Sequence, residues 1–172
     1  MVGRSGGIPP CGLPVIRRCS GGGAVLIGPG CLNYALIVPY DWDPRLLSVR
    51  TSMCLLLGRL ARALGLEIRG DSDLALGDRK VSGNAQRRGR NALLLHGTIL
   101  YDFDLPLIAR HLPEPARQPA WRRGRTHSQF LANAGMSRSE IELKIDLQCK
   151  LEDPHRGTNA TDLADARCVR DY

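Results

Sequence analysis

Aromatic residues make up only 5% of this 172-residue chain, and lysine occurs only three times. Surfaces that bind nucleic acid usually combine a basic stripe with aromatic side chains that stack on the bases. Here the 21 arginines are spread along the chain instead, so we expect no nucleic-acid partner. The net charge of +7 is equally compatible with an acidic small molecule and with an acidic protein partner.

Long apolar runs are missing as well. None approaches the ~18 residues that a membrane-spanning helix needs. Proline, glycine and arginine interrupt the N-terminal region, where a secretory signal would have a continuous apolar stretch. We therefore expect no membrane association and a cytoplasmic location.

The cysteines and histidines form no metal-binding pattern. The chain has no C-x-x-C pair, and its four histidines do not stand at zinc-like spacing from the cysteines. Without an export signal, free thiols are expected rather than disulfides. We predict no metal site. The six cysteines are Cys11, Cys19, Cys31, Cys54, Cys149 and Cys168.

The predicted strands come in clusters and do not alternate regularly with helices. This order favours an α+β fold with a mixed, mainly antiparallel sheet flanked by helices. A first strand is expected over 13–18, and a hairpin over 24–27 and 33–38 around Gly28-Pro29-Gly30. Further strands are expected over 66–69, 73–76, 80–82 and 91–101.

The longest predicted helix begins at Asp43-Pro44, an N-cap residue followed by a residue suited to the first helical position. Apolar residues then recur at three- and four-residue steps up to Gly65, a typical C-terminal stop. Shorter helices are expected over 104–112, over 126–134, and from the Ser137–Glu140 capping box to about Leu151.

Three consecutive glycines, Gly21 to Gly23, follow two arginines, Arg17 and Arg18. A glycine loop lets the backbone approach a ligand closely, and its N–H groups are able to hold a phosphate. Apolar runs on both sides anchor the loop, which a linker would not need. The motif is neither a P-loop nor a dinucleotide-binding fingerprint, because it lacks G-x-x-x-x-G-K-[ST] and leads into a predicted strand.

Lys80 stands out because the chain otherwise uses arginine almost throughout. Its compact ammonium is suited to contact both a carboxylate or carbonyl oxygen and a phosphate. Gly77, Gly83 and Asn84 around it indicate a tight loop that approaches a ligand.

His96 lies in the middle of an apolar strand, where a core role and a site role are both open. Asn33 is expected to brace the turn before it.

Several motifs in the same order resemble the lipoate–protein ligase family, whose catalytic fold is shared with biotin–protein ligases. The resemblance covers about residues 12–135. It rests on RRCSGGGAV (17–25), GCLNYALI (30–37), DRKVSGNAQRR (78–88), LLHGTILYDFDL (94–105) and QPAWRRGRTH (118–127).

The resemblance implies that the protein is an enzyme that uses ATP, accompanied by magnesium, to convert lipoate or octanoate into an acyl-adenylate. The acyl group would pass to a lysine of a lipoyl carrier domain, in 2-oxoacid dehydrogenase E2 subunits or the glycine cleavage H protein. Lys80 would be the catalytic residue, in contact with the acyl carbonyl and the α-phosphate. The predicted binding residues are Arg18, Gly22, Gly23, Ala24, Val25, Leu26, Asn33, Lys80 and His96.

The family usually has more residues before its arginine pair than the 16 found here, so we expect an N-terminally short catalytic domain over 1–153 and a polar tail over 154–172. A separate accessory subunit is a possible partner. Two other functions stay open: an ATP-independent octanoyltransferase that uses a catalytic cysteine, and a non-catalytic homologue that only binds carrier proteins. The segment 69–78 before Lys80 has no cysteine, which favours the ligase.

Overall fold

A computed structural model of the chain describes residues 1–9 and 12–151, and the backbone alone of 149–151. The tail predicted over 154–172 lies outside the described residues. The strands are β1 (Cys31–Pro39), β2 (Glu67–Arg69), β3 (Asp73–Leu76), β4 (Arg79–Arg88) and β5 (Ala92–Leu100). The α-helices are α1 (Val49–Leu64), α2 (Leu105–His111), α3 (His127–Phe130) and α4 (Arg138–Leu151).

The five strands form one sheet in the order β1-β5-β4-β3-β2, and every neighbouring pair is antiparallel. An isolated parallel bridge between Lys80 and Leu131 adds to it, and a second such bridge joins Val2 and Arg17 outside the sheet. The predicted α+β class with a mainly antiparallel sheet is therefore confirmed. Because paired residues of neighbouring strands point to the same face, the register assigns each side chain to one of two faces.

Helices α1 and α4 pack together and cover one face, called here the helix face. Helix α1 begins after Ser48, whose side chain accepts a hydrogen bond from the Thr51 amide, and ends at Gly65 in the left-handed conformation. Leu57 and Leu60 of α1 are at most 2% exposed, and burying one such side chain stabilises the fold by about 1.5–3 kcal/mol. The predicted apolar stripe of this helix is confirmed.

The opposite face, called here the open face, carries a second apolar cluster at one end only. Leu100, Phe103, Ile108, Trp121 and Phe130 form the main part of this cluster, which packs α2 and α3 against the sheet. The rest of the open face carries mostly polar and small residues, with Ile37 and Leu94 as the large apolar exceptions. The functional side chains that the sequence suggested lie there.

Strand β4 is polar on both faces, which is unusual for a strand near the middle of a sheet. On the helix face, Asn84 accepts a hydrogen bond from the Tyr34 hydroxyl and donates to the Ser72 carbonyl. Gln86 donates to the Val49 carbonyl on α1. Because buried polar groups are costly unless they are paired, these bonds allow a polar sequence to occupy this position.

Two strand predictions are wrong. Residues 13–18 contribute only an isolated bridge between Val2 and Arg17, and residues 24–27 form no strand. The Gly28 carbonyl accepts from the Cys31 amide, and β1 begins directly after this turn. The Val25 amide donates to the Met1 carbonyl instead of a neighbouring strand, so tertiary position overrides the β-propensity of this run.

The predicted strand over 80–82 is too short, because β4 extends from Arg79 to Arg88. Lys80 therefore lies in a strand and not in a loop. The long helix also begins later than predicted: Asp43 caps a short 3-10 helix over Pro44–Leu47, and α1 follows after Ser48. Helix α3 ends at Phe130, four residues before the predicted end.

Strand β5, helix α2 and the Ser137–Glu140 capping box are as predicted. No helix in the described ranges combines the length and apolar character that crossing a bilayer requires.

Candidate functional site

Lys80 lies on the open face, where its ammonium pairs with a carboxylate that the sequence did not point to. Lys80 Nζ is 2.7 Å from Asp73 Oδ1 on the neighbouring strand β3. The Asp73 side chain is 9% exposed and that of Lys80 is 26% exposed. The carboxylate is therefore mostly buried, and the ammonium reaches solvent. The carboxylate holds the Lys80 ammonium at a fixed place on the open face.

Two further features fix the position of Lys80. Its carbonyl accepts a hydrogen bond of 2.9 Å from the Ala132 amide, beside the Lys80–Leu131 bridge. Gly83 pairs in register with Asp73, and a Cβ added to Gly83 would stand 3.0 Å from Lys80 Nζ. The absence of a side chain at Gly83 therefore leaves the space that the ammonium occupies.

Arg18 holds the glycine loop in shape. Its Nη2 donates to the Gly21 carbonyl at 2.7 Å, and its Nε donates to the Ser20 hydroxyl at 3.2 Å. Gly22 adopts a φ of 96°, and a Cβ there would stand 2.7 Å from Arg18 Nη2. Glycine is required at 22 both for this backbone conformation and for the contact with the guanidinium.

The loop leaves hydrogen-bond donors free for an anion. Arg18 Nη1 is buried and has no partner in the described part of the chain. The amides of Gly21, Gly22 and Gly23 donate to no described residue, and these three glycines are exposed. Unused donors around a guanidinium are the donor set that a phosphate or carboxylate would satisfy.

His96 of β5 faces the same loop. Its Nε2 is 2.6 Å from the hydroxyl of Ser20, which is 2% exposed. Because Ser20 Oγ already accepts from Arg18 Nε, we assign its proton to the bond with His96 Nε2. Burial, and then repulsion by the nearby Arg18 charge, lower the pKa of His96. The imidazole is therefore neutral at pH 7 and accepts from Ser20.

This environment predicts a pH dependence of stability. In the unfolded chain the pKa of His96 returns to its ordinary value near 6.5, so the unfolded state takes up the proton first as the pH falls. The contribution of His96 is fully present above about pH 6.5 and is lost as the pH falls through the lower folded-state pKa.

We expect the free energy of unfolding to fall more steeply below about pH 6.5 in the wild type than in His96→Gln. Urea unfolding of both proteins at a series of pH values measures this difference. Parallel profiles for the two proteins would contradict the assignment of a neutral, half-buried imidazole.

The two arginines before the loop serve different groups. Arg17 Nη1 donates to the carbonyls of Gly3, Arg4 and Gly6, which ties the N-terminal segment to the chain before the loop. Arg18 turns to the loop itself. On the far side, Arg87 of β4 donates to the Cys19 carbonyl at 3.0 Å. The glycine loop is therefore held against the open face from two directions.

The register brings the two halves of the predicted site onto one face. Asn33, Thr98, Gly83 and Asp73 form one row across the sheet, and His96 stands in the adjacent row on β5. Lys80, whose ammonium lies over Gly83, is thus near the row that carries His96 and the loop. Asn33 is exposed at the edge strand and also lines a cavity of about 220 Å³ with Tyr101 and Arg138.

The residues after the loop have a different environment. Ala24, Val25 and Leu26 line a largely apolar cavity of about 260 Å³. Its other walls come from Met1, Val2, Pro9, Leu13, Pro14, Val15, Ile27 and Leu112. Arg18, Lys80 and His96 do not line this cavity, so the structure separates the predicted set into a polar centre and an apolar cavity beside it.

Sequence reasoning missed Asp73, Ser20 and Arg87. Asp73 lies on β3, seven residues before Lys80, and only the β3–β4 pairing shows that the two meet. Ser20 stands inside the quoted arginine–glycine motif, so its position was available as a signal.

Cys31, one of the two cysteines near the loop, is half-buried, and burial raises the pKa of its thiol. That shift disfavours the reactive thiolate.

No group of three acidic, histidine or cysteine side chains in the described ranges could hold a metal ion. The only carboxylate identified at the polar centre, that of Asp73, is already paired with Lys80. The described residues therefore do not fit a resident metal.

Residues 8–130 match the model of the lipoyl protein ligase A/B catalytic domain. Lipoate–protein ligase 1 of Staphylococcus aureus is 31% identical over 100 residues, which are 58% of this chain and 30% of that protein. The chain thus spans less than a third of this curated relative.

Two solved structures share the fold. A bi-partite lipoate protein ligase from Thermoplasma acidophilum, described with its E2 lipoyl domain, has a TM-score of 0.62 at 23% identity and covers 79% of this chain and 56% of that one. A lipoate-protein ligase A bound with ATP has a TM-score of 0.60 at 24% identity, over 79% and 57%. At this identity they support the fold alone. Because its residues 8–130 match the family model, the chain belongs to the lipoyl protein ligase A/B catalytic-domain family.

Proposed function

We propose that the chain activates lipoate, or octanoate, with ATP and transfers the acyl group to a lysine of a lipoyl carrier domain. The observation that carries this proposal is the polar centre: the Lys80 ammonium shares one sheet face with a glycine loop that has unused donors. Two anions, a carboxylate and a triphosphate, must meet in the first step, and fixed cations are what this step requires.

In the proposed first step, a carboxylate oxygen of lipoate forms a bond to the α-phosphorus of ATP. The bond from that phosphorus to the bridging oxygen breaks, and pyrophosphate leaves. Lys80, held by Asp73, neutralises charge on the carboxylate and on the α-phosphate. Arg18 Nη1 and the amides of Gly21 to Gly23 are the donors for the remaining phosphate oxygens. Magnesium would enter with its ligands supplied by the ATP phosphates.

In the second step the neutral amine of the carrier lysine attacks the acyl carbonyl and forms the amide bond. One amine proton passes to solvent, and AMP leaves with the electron pair of the carbonyl–oxygen bond. Lys80 is suited to stabilise the oxyanion that forms on the carbonyl. The apolar cavity lined by Ala24 to Leu26 is a candidate site for the acyl chain.

We also propose the domain boundaries 1–153, a cytoplasmic location, and carrier domains of E2 subunits or H protein as acceptors.

The ATP-free octanoyltransferase is the less favoured alternative. It would need a reactive cysteine, but β3 and the turn before Lys80 contain none, and the raised pKa of Cys31 opposes that role. The named relative from Staphylococcus aureus is a lipoate–protein ligase, and a lipoate-protein ligase A of the same fold is bound with ATP, which supports the ligase as the proposal.

Two reactions run side by side test the proposal. The first contains lipoate, magnesium-ATP and an apo lipoyl domain, and we expect lipoylation that stops when ATP is omitted. The second contains octanoyl-acyl carrier protein and the same domain without ATP, and we expect no transfer. Transfer in the second reaction alone would identify the octanoyltransferase. Carrier binding without modification in either reaction would identify the non-catalytic homologue.

A further inference from the structure

Charge is distributed very unevenly along the chain. The chain has 17 acidic residues, yet none of them lies in the stretches 1–40 and 79–101. The same two stretches contain eight arginines and lysines. The first stretch holds the glycine loop and β1, and the second holds β4 and β5. The acid-free stretches therefore supply Arg18, Lys80 and His96 of the polar centre, whereas its carboxylate, Asp73, comes from β3.

The fold joins these stretches into one surface. Strands β1, β5 and β4 are adjacent in the sheet. The Arg4 amide donates to the Ser20 carbonyl at 2.8 Å, and Arg87 donates to the Cys19 carbonyl at 3.0 Å. Arg90 lies between β4 and β5 at the tip of their hairpin, three residues after Arg87. We call the arginines of the loop, of the segments bonded to it and of this hairpin tip the cationic rim: Arg4, Arg17, Arg18, Arg87 and Arg90.

The positive charges of the cationic rim are not balanced within the described ranges. None of its five guanidinium groups takes part in an ion pair there. The bonds that Arg17, Arg18 and Arg87 make are mostly to neutral backbone carbonyls. Arg4 and Arg90 are exposed. No carboxylate in the described ranges neutralises these two charges, which are open to a partner.

The proposed second reaction step indicates which charged groups a protein partner needs beside its acceptor lysine. An acceptor lysine carries a positive charge, and a surface of unpaired arginines repels it. A protein that brings such a lysine to the polar centre must therefore carry carboxylates beside it. Within the site, Arg18 and Lys80 would bind the nucleotide phosphates. Arg4 lies on the N-terminal segment that is bonded to the loop, and Arg90 lies at the tip of the β4–β5 hairpin.

We propose that the cationic rim binds an acidic surface of the acceptor protein, next to the lysine that receives the acyl group. This inference rests on the proposed function and adds the chemistry by which the acceptor is chosen. Complementary surface charge of this kind acts mainly on encounter and selection of a partner.

A nucleic acid would also be attracted by the charge, but the rim offers no aromatic platform for its bases. The acid-free stretches contain three aromatic residues, Tyr34, Tyr40 and Tyr101. The Tyr34 hydroxyl is bonded to Asn84, the Arg88 guanidinium lies 4.8 Å from the centre of the Tyr40 ring, and Tyr101 packs on the helix-face core. Stacking of single-stranded bases on exposed rings is therefore not supported.

The test reverses the two exposed charges of the rim in the double variant Arg4→Glu/Arg90→Glu. We expect the KM for an acidic apo lipoyl domain to rise about tenfold at low salt, while the rate of lipoyl-AMP formation stays within about twofold of the wild type. The difference in KM shrinks at high salt, because screening weakens interactions between exposed charges. The matched control is Arg62→Glu/Lys144→Glu, which reverses two exposed charges on α1 and α4 and leaves KM unchanged.

A second arm uses the acceptor. Carboxylates beside the acceptor lysine are changed to their amides, and binding is titrated by fluorescence anisotropy without ATP. We expect weaker binding to the wild type and little further loss with the reversed rim, because both changes remove the same interaction.

Unchanged KM and unchanged binding in the reversed rim overturn the inference, as does competition by a single-stranded oligonucleotide at physiological salt. Absence of lipoyl-AMP with intact, rim-dependent binding overturns the proposed reaction and leaves the docking surface standing.

Discussion

Replacing Lys80 with alanine is expected to lower the rate of lipoyl-AMP formation by about 10³-fold. Loss of one fixed charge or donor at a reacting oxyanion typically costs 10²–10³ in rate, and Lys80 is proposed to serve both the carboxylate and the α-phosphate. The measurement is lipoate-dependent release of pyrophosphate from magnesium-ATP. A rate within a few-fold of the wild type would remove Lys80 from the reaction.

The control for this variant has to separate chemistry from folding. Lys80→Ala leaves the mostly buried Asp73 carboxylate without its cation, and an unpaired buried charge destabilises a fold. The double variant Lys80→Ala/Asp73→Asn removes that charge, so we expect it to regain stability without regaining activity. Lys144→Ala, an exposed lysine on α4, is expected to match the wild type in both respects.

Replacing Gly30 with alanine is expected to destabilise the fold by about 3–5 kcal/mol, through strain and overlap at a tight turn. Gly30 has a φ of 81°, and a Cβ there would stand 2.5 Å from the Phe103 amide nitrogen and would overlap the Asp102 carbonyl. Both partners are backbone, so they cannot move aside alone. The free energy of unfolding, measured in urea, gives the effect, which corresponds to roughly 10 °C in Tm.

Gly28 provides a matched control two residues away in the same turn. A Cβ at Gly28 would meet only the Phe103 ring at 3.6 Å, an ordinary van der Waals distance, and its φ is not in the left-handed region. Gly28→Ala is therefore expected to change stability by less than about 1 kcal/mol. Equal effects of the two substitutions would contradict the close backbone approach at Gly30.

Local patterns predicted those elements whose stability is decided locally. The apolar stripe of α1, the strand β5 and the Ser137–Glu140 capping box are readable from spacing and capping residues alone. The predicted hairpin around Gly28-Pro29-Gly30 failed because a β-branched run becomes a strand only when another strand pairs with it. Residues 24–27 instead line a cavity and contact the N-terminal segment.

Strand β4 shows the opposite error. Gly83 and Asn84 indicate a loop, but partners on three other segments satisfy the polar side chains of the strand: Asn84 bonds to Tyr34 and Ser72, and Gln86 bonds to Val49. The same limit applies to the site. Arg18, Lys80 and His96 were suggested by residue type and motif. The sheet register brings Lys80 and His96 to one face, and the bonds of Ser20 to His96 and Arg18 bring the loop there. Asp73 and Arg87 could not be identified in advance, because their roles depend on strand pairing and on how the loop folds back.

Exchange of labelled pyrophosphate into ATP is the most direct test of the central claim, since it isolates the first step and needs no acceptor protein. The account predicts exchange that requires lipoate and magnesium, and that Lys80→Ala abolishes while Lys144→Ala retains it. A folded chain that binds ATP and lipoate, as shown by titration, yet catalyses no lipoate-dependent exchange would contradict the claim that this site forms an acyl-adenylate.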